Sequence, residues 1–201
     1  MRMHRSGSRA FTLIELMIVV SIIGLVAALT VPEANRSLQR SKLNEVALEL
    51  AGWFESMKIN STSDVTCKAS FQKDTTQPFG IGSVLYAVSS VQQEDMAKAN
   101  LTSPPCTQYL QDFRVSLSGI SGGIMVYSPA AFQFTRRGNL IATDGAGAVI
   151  TDNLDIRIFL VESSYLRCLR PNVLLGNFRI GSNSNATSVN DTCAENSFQA
   201  F

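Results

Sequence analysis

The sequence predicts an α+β fold: one long N-terminal α-helix packed on a mainly antiparallel β-sheet head. Three observations carry that expectation. An unbroken apolar run extends from Phe11 to Val31, an apolar stripe with helical spacing continues it to Met57, and short segments punctuated by turn residues fill the remainder of the 201 residues. A chain of this length buries one proper core, so a single compact domain with an appendage is expected. The expected boundaries are 1–10 for a basic leader, 11–32 for the apolar half of the helix, 33–60 for its amphipathic half and 61–201 for a β-rich head.

The leader carries Arg2, Arg5, Arg9 and His4 and stops abruptly at FTLIELMIVVSIIGLVAALTV, whose only charge is Glu15. Three readings compete for this region. A secretory signal has an apolar stretch of about 7–15 residues before a small-residue cleavage site; here the stretch is longer and Thr30-Val31-Pro32 is a poor site. A plain transmembrane helix needs roughly 20 apolar residues, and Phe11–Val31 supplies 21. That reading gives Glu15 no role, although a carboxylate in hydrocarbon costs about 2.5–3.5 kcal/mol.

The third reading gives the charge a role. The string FTLIELMIVV, with an acid five residues after Ala10, closely resembles the class III signal of type IV pilins and type II secretion pseudopilins. The resemblance implies that a prepilin peptidase cuts between Ala10 and Phe11 on the cytoplasmic side and methylates Phe11. It also implies that Glu15 faces the N-terminal amine of a neighbouring subunit in a filament. A buried acid alone is costly, whereas one paired with a buried ammonium is tolerated and fixes axial register. The family usually has Gly before the cut; this chain has Ala10, the next smallest residue. Gly24 and Pro32 sit where pilin helices carry helix-loosening residues, and Pro32 cannot donate to the carbonyl of Ala28, so a kink or local melting is expected there.

Beyond Pro32 the chain turns polar but keeps its helical pattern. Leu38, Leu43, Val46, Ala47, Leu50, Phe54 and Met57 recur at spacings near three and four, one apolar face, and Trp53 is expected at its edge. Asn60-Ser-Thr-Ser marks the end of a helix roughly 70 Å long at 1.5 Å per residue. Strands are then expected at 65–71, 83–88, 113–117, 123–127, 132–135, 149–150, 155–161, 166–169 and 177–180. A short helix is expected at 92–99. The Ser/Asn-rich tail from Gly181 relies on Cys193 to pin it.

Within pilin-like proteins the head resembles the GspH/FimT group of minor pilins and pseudopilins. The resemblance rests on the Asn44-Glu45-Val-Ala-Leu-Glu-Leu helix leading to Val65-Thr66-Cys67, on Phe134-Thr-Arg-Arg-Gly138, and on Cys168-Leu-Arg-Pro171 followed by Gly176-Asn-Phe-Arg179. The helix segment departs from that group's Arg-rich ending.

The cysteines, Cys67, Cys106, Cys168 and Cys193, form no CxxC pair, which disfavours zinc. An even, dispersed set beyond an apolar segment reads as two disulfides. Three connectivities exist; Cys67–Cys106 with Cys168–Cys193 closes the shortest loops and is the expected one. Four buried thiols are the alternative. No enzyme is expected, because His4 is the only histidine and a mature chain starting at Phe11 would have none, which removes His-based nucleophile arrangements. Gly80-Ile-Gly82 and Gly145-Ala-Gly147 lack the context of a dinucleotide loop and read as turns. Asp144, Asp152, Asn153 and Asp155 match no EF-hand spacing, and hairpin turns are the favoured reading. No cofactor or metal is expected.

A net charge of +1 gives no support to bulk nucleic-acid binding. Some FimT-like proteins nevertheless bind DNA during natural transformation through Gly-Arg-x-Arg; here Gly176-Asn-Phe-Arg179 lacks one arginine. Arg167, Arg170 and Arg179, with Arg136 and Arg137, are the candidate phosphate contacts, a possible but not favoured use. The favoured expectation is a minor pilin or pseudopilin of a type IV pilus or type II secretion pseudopilus. It would be held in the bacterial inner membrane by one helix, with its head in the periplasm, before joining the filament. Its partners would be other pilins, the prepilin peptidase and the inner-membrane assembly platform. A single-pass anchored protein that never polymerises is the further alternative.

Overall fold

The computed structural model describes residues 12–63, 66–72, 78–91, 106, 110–116, 123–152 and 154–200. They fall into two compact units, Met1–Leu38 and Gln39–Phe201. Helix α1, Leu13–Ser63, contributes to both. Of the kink or local melting expected at Pro32, the melting does not occur: α1 is helical on both sides of the proline. Pro32 removes a single N–H donor, and the flanking turns keep their own bonds. Nearby, Thr30 Oγ1 donates to the carbonyl of Val26 at 3.1 Å, adding a side-chain bond to the backbone ladder.

Among the described residues of the second unit, eleven strands form two antiparallel sheets. The first sheet holds β1 (Thr66–Phe71), β2 (Val84–Val91), β3 (Phe113–Arg114), β5 (Ala131–Phe134), β6 (Leu140–Thr143) and β7 (Val149–Ile150), in the order β3-β2-β1-β5-β6-β7. The second holds β4 (Ile124–Tyr127), β8 (Ile156–Leu160), β9 (Tyr165–Pro171), β10 (Phe178–Asn183) and β11 (Gln199–Ala200), in the order β11-β10-β9-β8-β4. Strands β6 and β11 are additions to the sequence expectation. The short apolar run Leu140-Ile-Ala between the Gly138-Asn139 and Gly145-Ala-Gly147 turn clusters was a readable signal for β6. Two residues of β11 paired with Arg179 and Ile180 offer no pattern to read. The segment 92–99, expected as a short helix, lies outside the described residues.

The helical stripe meets both sheets in one core. Leu43, Val46, Ala47, Leu50, Phe54 and Met57 are buried, whereas Leu38, the first member of the expected stripe, is 61% exposed. The register of burial therefore begins one turn later than the spacing suggested. Phe54 stacks on Phe178 of the second sheet, with centroids 4.8 Å apart, and meets Tyr86 and Phe132 of the first sheet edge-on at 5.3 Å. Aromatic contacts of this kind add about 0.5–1.5 kcal/mol each beyond area burial. Trp53 lies at the rim, half-buried, with its indole N–H donating to the carbonyl of Gln111 at 2.9 Å.

The second sheet is covered on both faces, which explains why every residue of β8 is buried. Its far face carries Phe159, Leu166 and Cys168, closed over by Ala186, Cys193 and Phe198 from the tail. Disulfides join Cys67 to Cys106 and Cys168 to Cys193. The second bond staples the tail to the centre of β9 through Cys193, as expected, and the tail also becomes the cover of a small second core.

Candidate functional site

The helix start is built from two side chains. The Thr12 backbone N–H and hydroxyl each donate to Glu15 Oε2 at 3.1 Å, and the Glu15 N–H donates back to Thr12 Oγ1 at 3.4 Å. This is a capping box, in which an N-terminal Thr and an acid three residues later satisfy each other's free donors. The acid also sits favourably at the positive end of the helix dipole. The box uses one carboxylate oxygen; among the described residues Oε1 accepts no hydrogen bond. Sequence reading assigned Glu15 to register and missed this second role, although Thr-x-x-Glu ahead of an apolar run was the signal for it. Ala10 and Phe11 lie outside the described residues.

From Leu13 to Val31 the large apolar side chains described are exposed. The helix bearing them is long and apolar enough to cross a membrane. Ser21, within this stretch, donates its hydroxyl to the carbonyl of Met17 at 2.8 Å.

The candidate arginines do not share one surface. Arg167 and Arg170 are three residues apart on β9, an odd spacing that sends them to opposite faces. Arg167 turns toward α1, where its Nε donates to Asn44 Oδ1 and its guanidinium lies 5.6 Å from the Tyr165 ring. It lines a polar hollow of about 410 Å³ together with Ser182 and Gln199. Arg170 and Arg179 stand side by side across β9 and β10. Arg170 makes two 2.8 Å bonds to Asp155 and a third to Glu195. These carboxylates hold its guanidinium more firmly protonated than usual. Arg179 donates to Glu195 at 3.3 Å, and the Phe198 ring lies beneath both guanidinium groups. These two cations are matched by two acids, so the pair clamps the tail and has little net charge to offer a phosphate.

Asp155 is thus an ion-pair partner. Asp144 is a turn residue, its Oδ1 accepting the N–H groups of Ala146 and Ala148. Asn153 lies outside the described residues. Among the described residues no three His, Cys, Asp or Glu side chains cluster as a metal site would require.

The two motifs around Gly138 and Gly176 come together. Both glycines have positive φ, and a Cβ on Gly176 would fall 2.1 Å from the Gly138 carbonyl oxygen. Only glycine permits that approach.

Comparison with known proteins fits this arrangement. The prokaryotic N-terminal methylation motif matches residues 5–31. The type IV major fimbrial protein FimA of Dichelobacter nodosus is 47% identical over 45 residues, 22% of this chain and 29% of that protein. The type IV major pilin protein PilA of Myxococcus xanthus is 45% identical over 51 residues, 25% of this chain and 23% of its own. Fimbrial protein Q of Moraxella bovis is 28% identical over 151 residues, 75% of this chain and 82% of that protein. The chain thus spans less than a third of the length of these FimA and PilA relatives. No solved structure gives a significant match. The long N-terminal helix with its antiparallel head and the methylation motif define a type IV pilin-like protein.

Proposed function

We propose that the chain is a structural subunit of a type IV filament, a minor pilin or pseudopilin, with no catalytic activity of its own. The observation that carries this reading is the helix from Leu13 to Val31: exposed, apolar, opened by a capping acid, and lying within the matched methylation motif. Such a helix has two stable environments, lipid and a bundle of like helices. In this reading the prepilin peptidase removes residues 1–10 and methylates Phe11. The inner membrane then holds the helix until the assembly platform exchanges lipid for neighbouring subunits. Glu15 keeps one carboxylate oxygen for its own helix start and turns the other toward a neighbour's N-terminal amine. The named relatives, described as fimbrial and pilin proteins, support the filament.

The test is the mass of the mature chain recovered from membranes and sheared filaments. The expected species begins at Phe11 and carries one extra methyl group; a chain retaining Met1 in the filament fraction overturns the proposal.

A further inference from the structure

We infer that the head carries a lipid-binding element of its own, in addition to the apolar half of α1: the β9–β10 turn, which enters the surface of a bilayer containing anionic phospholipid. The inference goes beyond the filament reading and does not depend on it.

The turn offers three aliphatic side chains in a row. Val173, Leu174 and Leu175 are 41, 77 and 61% exposed, a grouping that a soluble surface ordinarily avoids. Their backbone is the more telling feature. The N–H groups of Leu174 and Leu175 both donate to Asn172 Oδ1 at 3.1 Å, and that of Gly176 donates to the Asn172 carbonyl at 2.7 Å. The Val173 carbonyl accepts from Leu140 N–H at 2.9 Å, and the Leu174 carbonyl accepts from Asn139 Nδ2 at 3.0 Å. In water an exposed turn has little need of such pairing, because solvent satisfies its polar groups. Hydrocarbon offers no such partner, and an unpaired backbone group there is costly. A turn whose own protein already makes these bonds can push its apolar tip out of water. Held in one conformation, it also loses little entropy on docking.

Charge points to the same partner. The close approach of Gly176 to the Gly138 carbonyl sets the β5–β6 turn against the β9–β10 turn. The β5–β6 turn carries Arg136 and Arg137, both exposed. Among the described residues neither forms an ion pair, unlike Arg170 and Arg179. Arginines beside an apolar insertion lay their stems on apolar surface and keep their charged heads at the phosphates. Each adds about fivefold to affinity for an anionic membrane.

A protein partner would ask for something else. Leu and Val are under-represented among the residues that dominate protein interfaces, and the polar groups behind this tip are already engaged. A bilayer requires only an apolar tip backed by cations.

The test holds the full-length chain by α1 in nanodiscs of phosphatidylcholine and mixes them with separate vesicles. These are either phosphatidylcholine alone or an equal mixture with phosphatidylglycerol. The discs are expected to sediment with the mixed vesicles at least tenfold more than with the neutral ones. Leu174→Ser with Leu175→Ser should lower that capture at least tenfold, and Arg136→Gln with Arg137→Gln should reduce it to the neutral level. Both changes should leave the melting temperature of the head unaltered. Val149→Ser, at a β7 residue as exposed as Leu175, should bind as the parent does. As a second measurement, a bimane on Leu174→Cys should be quenched by vesicles carrying nitroxide on their acyl chains, whereas one on Val149→Cys should not. The four native cysteines are in disulfides and do not take the label. Equal capture by both kinds of vesicle, unchanged capture of the double-leucine variant, or an unquenched label at Leu174→Cys overturns the proposal. A double-leucine variant that keeps full capture yet is missing from sheared filaments gives the turn to a protein partner and also overturns it. None of these results touches the mature N-terminus on which the filament reading is tested.

Discussion

Glu15 shows how one side chain can hold two roles that a substitution can separate. Glutamine can serve at the third helical position of a capping box, so Glu15→Gln keeps the helix start and removes the charge. We expect Glu15→Gln to insert in membranes normally and to be missing from sheared filaments, measured by immunoblot of the two fractions. Thr12→Val should do the reverse, loosening the first turn by about 0.5–2 kcal/mol while incorporation continues. A second residue-scale prediction concerns Asp191. Its Oδ2 accepts the N–H groups of Thr187 and Ser188 at 2.7 and 3.1 Å, which holds its carboxyl below the ordinary carboxylate value. A depressed folded value means that its contribution is present above the unfolded value, near 3.9, and is lost as pH falls through the folded value. A carbonyl-carbon NMR titration should give a midpoint below 3.9, and Asp191→Asn should abolish the pH dependence of the 187–191 loop in that range.

Among the elements, the β5–β6 hairpin and the β9–β10 turn depend on each other through two glycines. Gly176→Ala forces a side chain into the Gly138 carbonyl at positive φ, and backbone strain of that kind costs of order 1–3 kcal/mol. The expected result is a drop of that size in urea denaturation. Gly80→Ala, at a position with nothing within 4 Å of the added carbon, should change little. The elements also differ in how legible they were. The helix was readable from end to end because its stripe repeats over many turns, and Asn60-Ser-Thr-Ser announced its end. Its first buried residue was not, because Leu38 fits the period as well as Leu43 does. Most strands were readable from alternation between turn clusters. The fates of Arg167, Arg170 and Arg179 were not, because neighbours on one strand diverge to opposite faces and Glu195 arrives from a distant segment.

For the whole molecule, covalent closure matters because the second sheet is finished by chain far from it in sequence. Cys168–Cys193 spans 25 residues and Cys67–Cys106 spans 39. Loop-closure entropy predicts about 3.5–4 kcal/mol for each. The double variant Cys168→Ser, Cys193→Ser is expected to lose stability of that order in chemical denaturation and to release residues 184–200 to protease before the rest of the head. If the tail stays protected, the Arg170–Glu195–Phe198 clamp alone is sufficient.

The tail that covers the second sheet has a consequence in time. Residues 184–200 are synthesised after every strand of the core except β11, so β8 and β9 must wait with one greasy face bare until that segment has followed them. The second core of the head therefore cannot close before residues 184–200 are made, and an oxidant that acts earlier finds Cys168 without Cys193. A chaperone able to shelter that bare face during the interval, or a delay in oxidation, would govern how much usable subunit a cell obtains from each message.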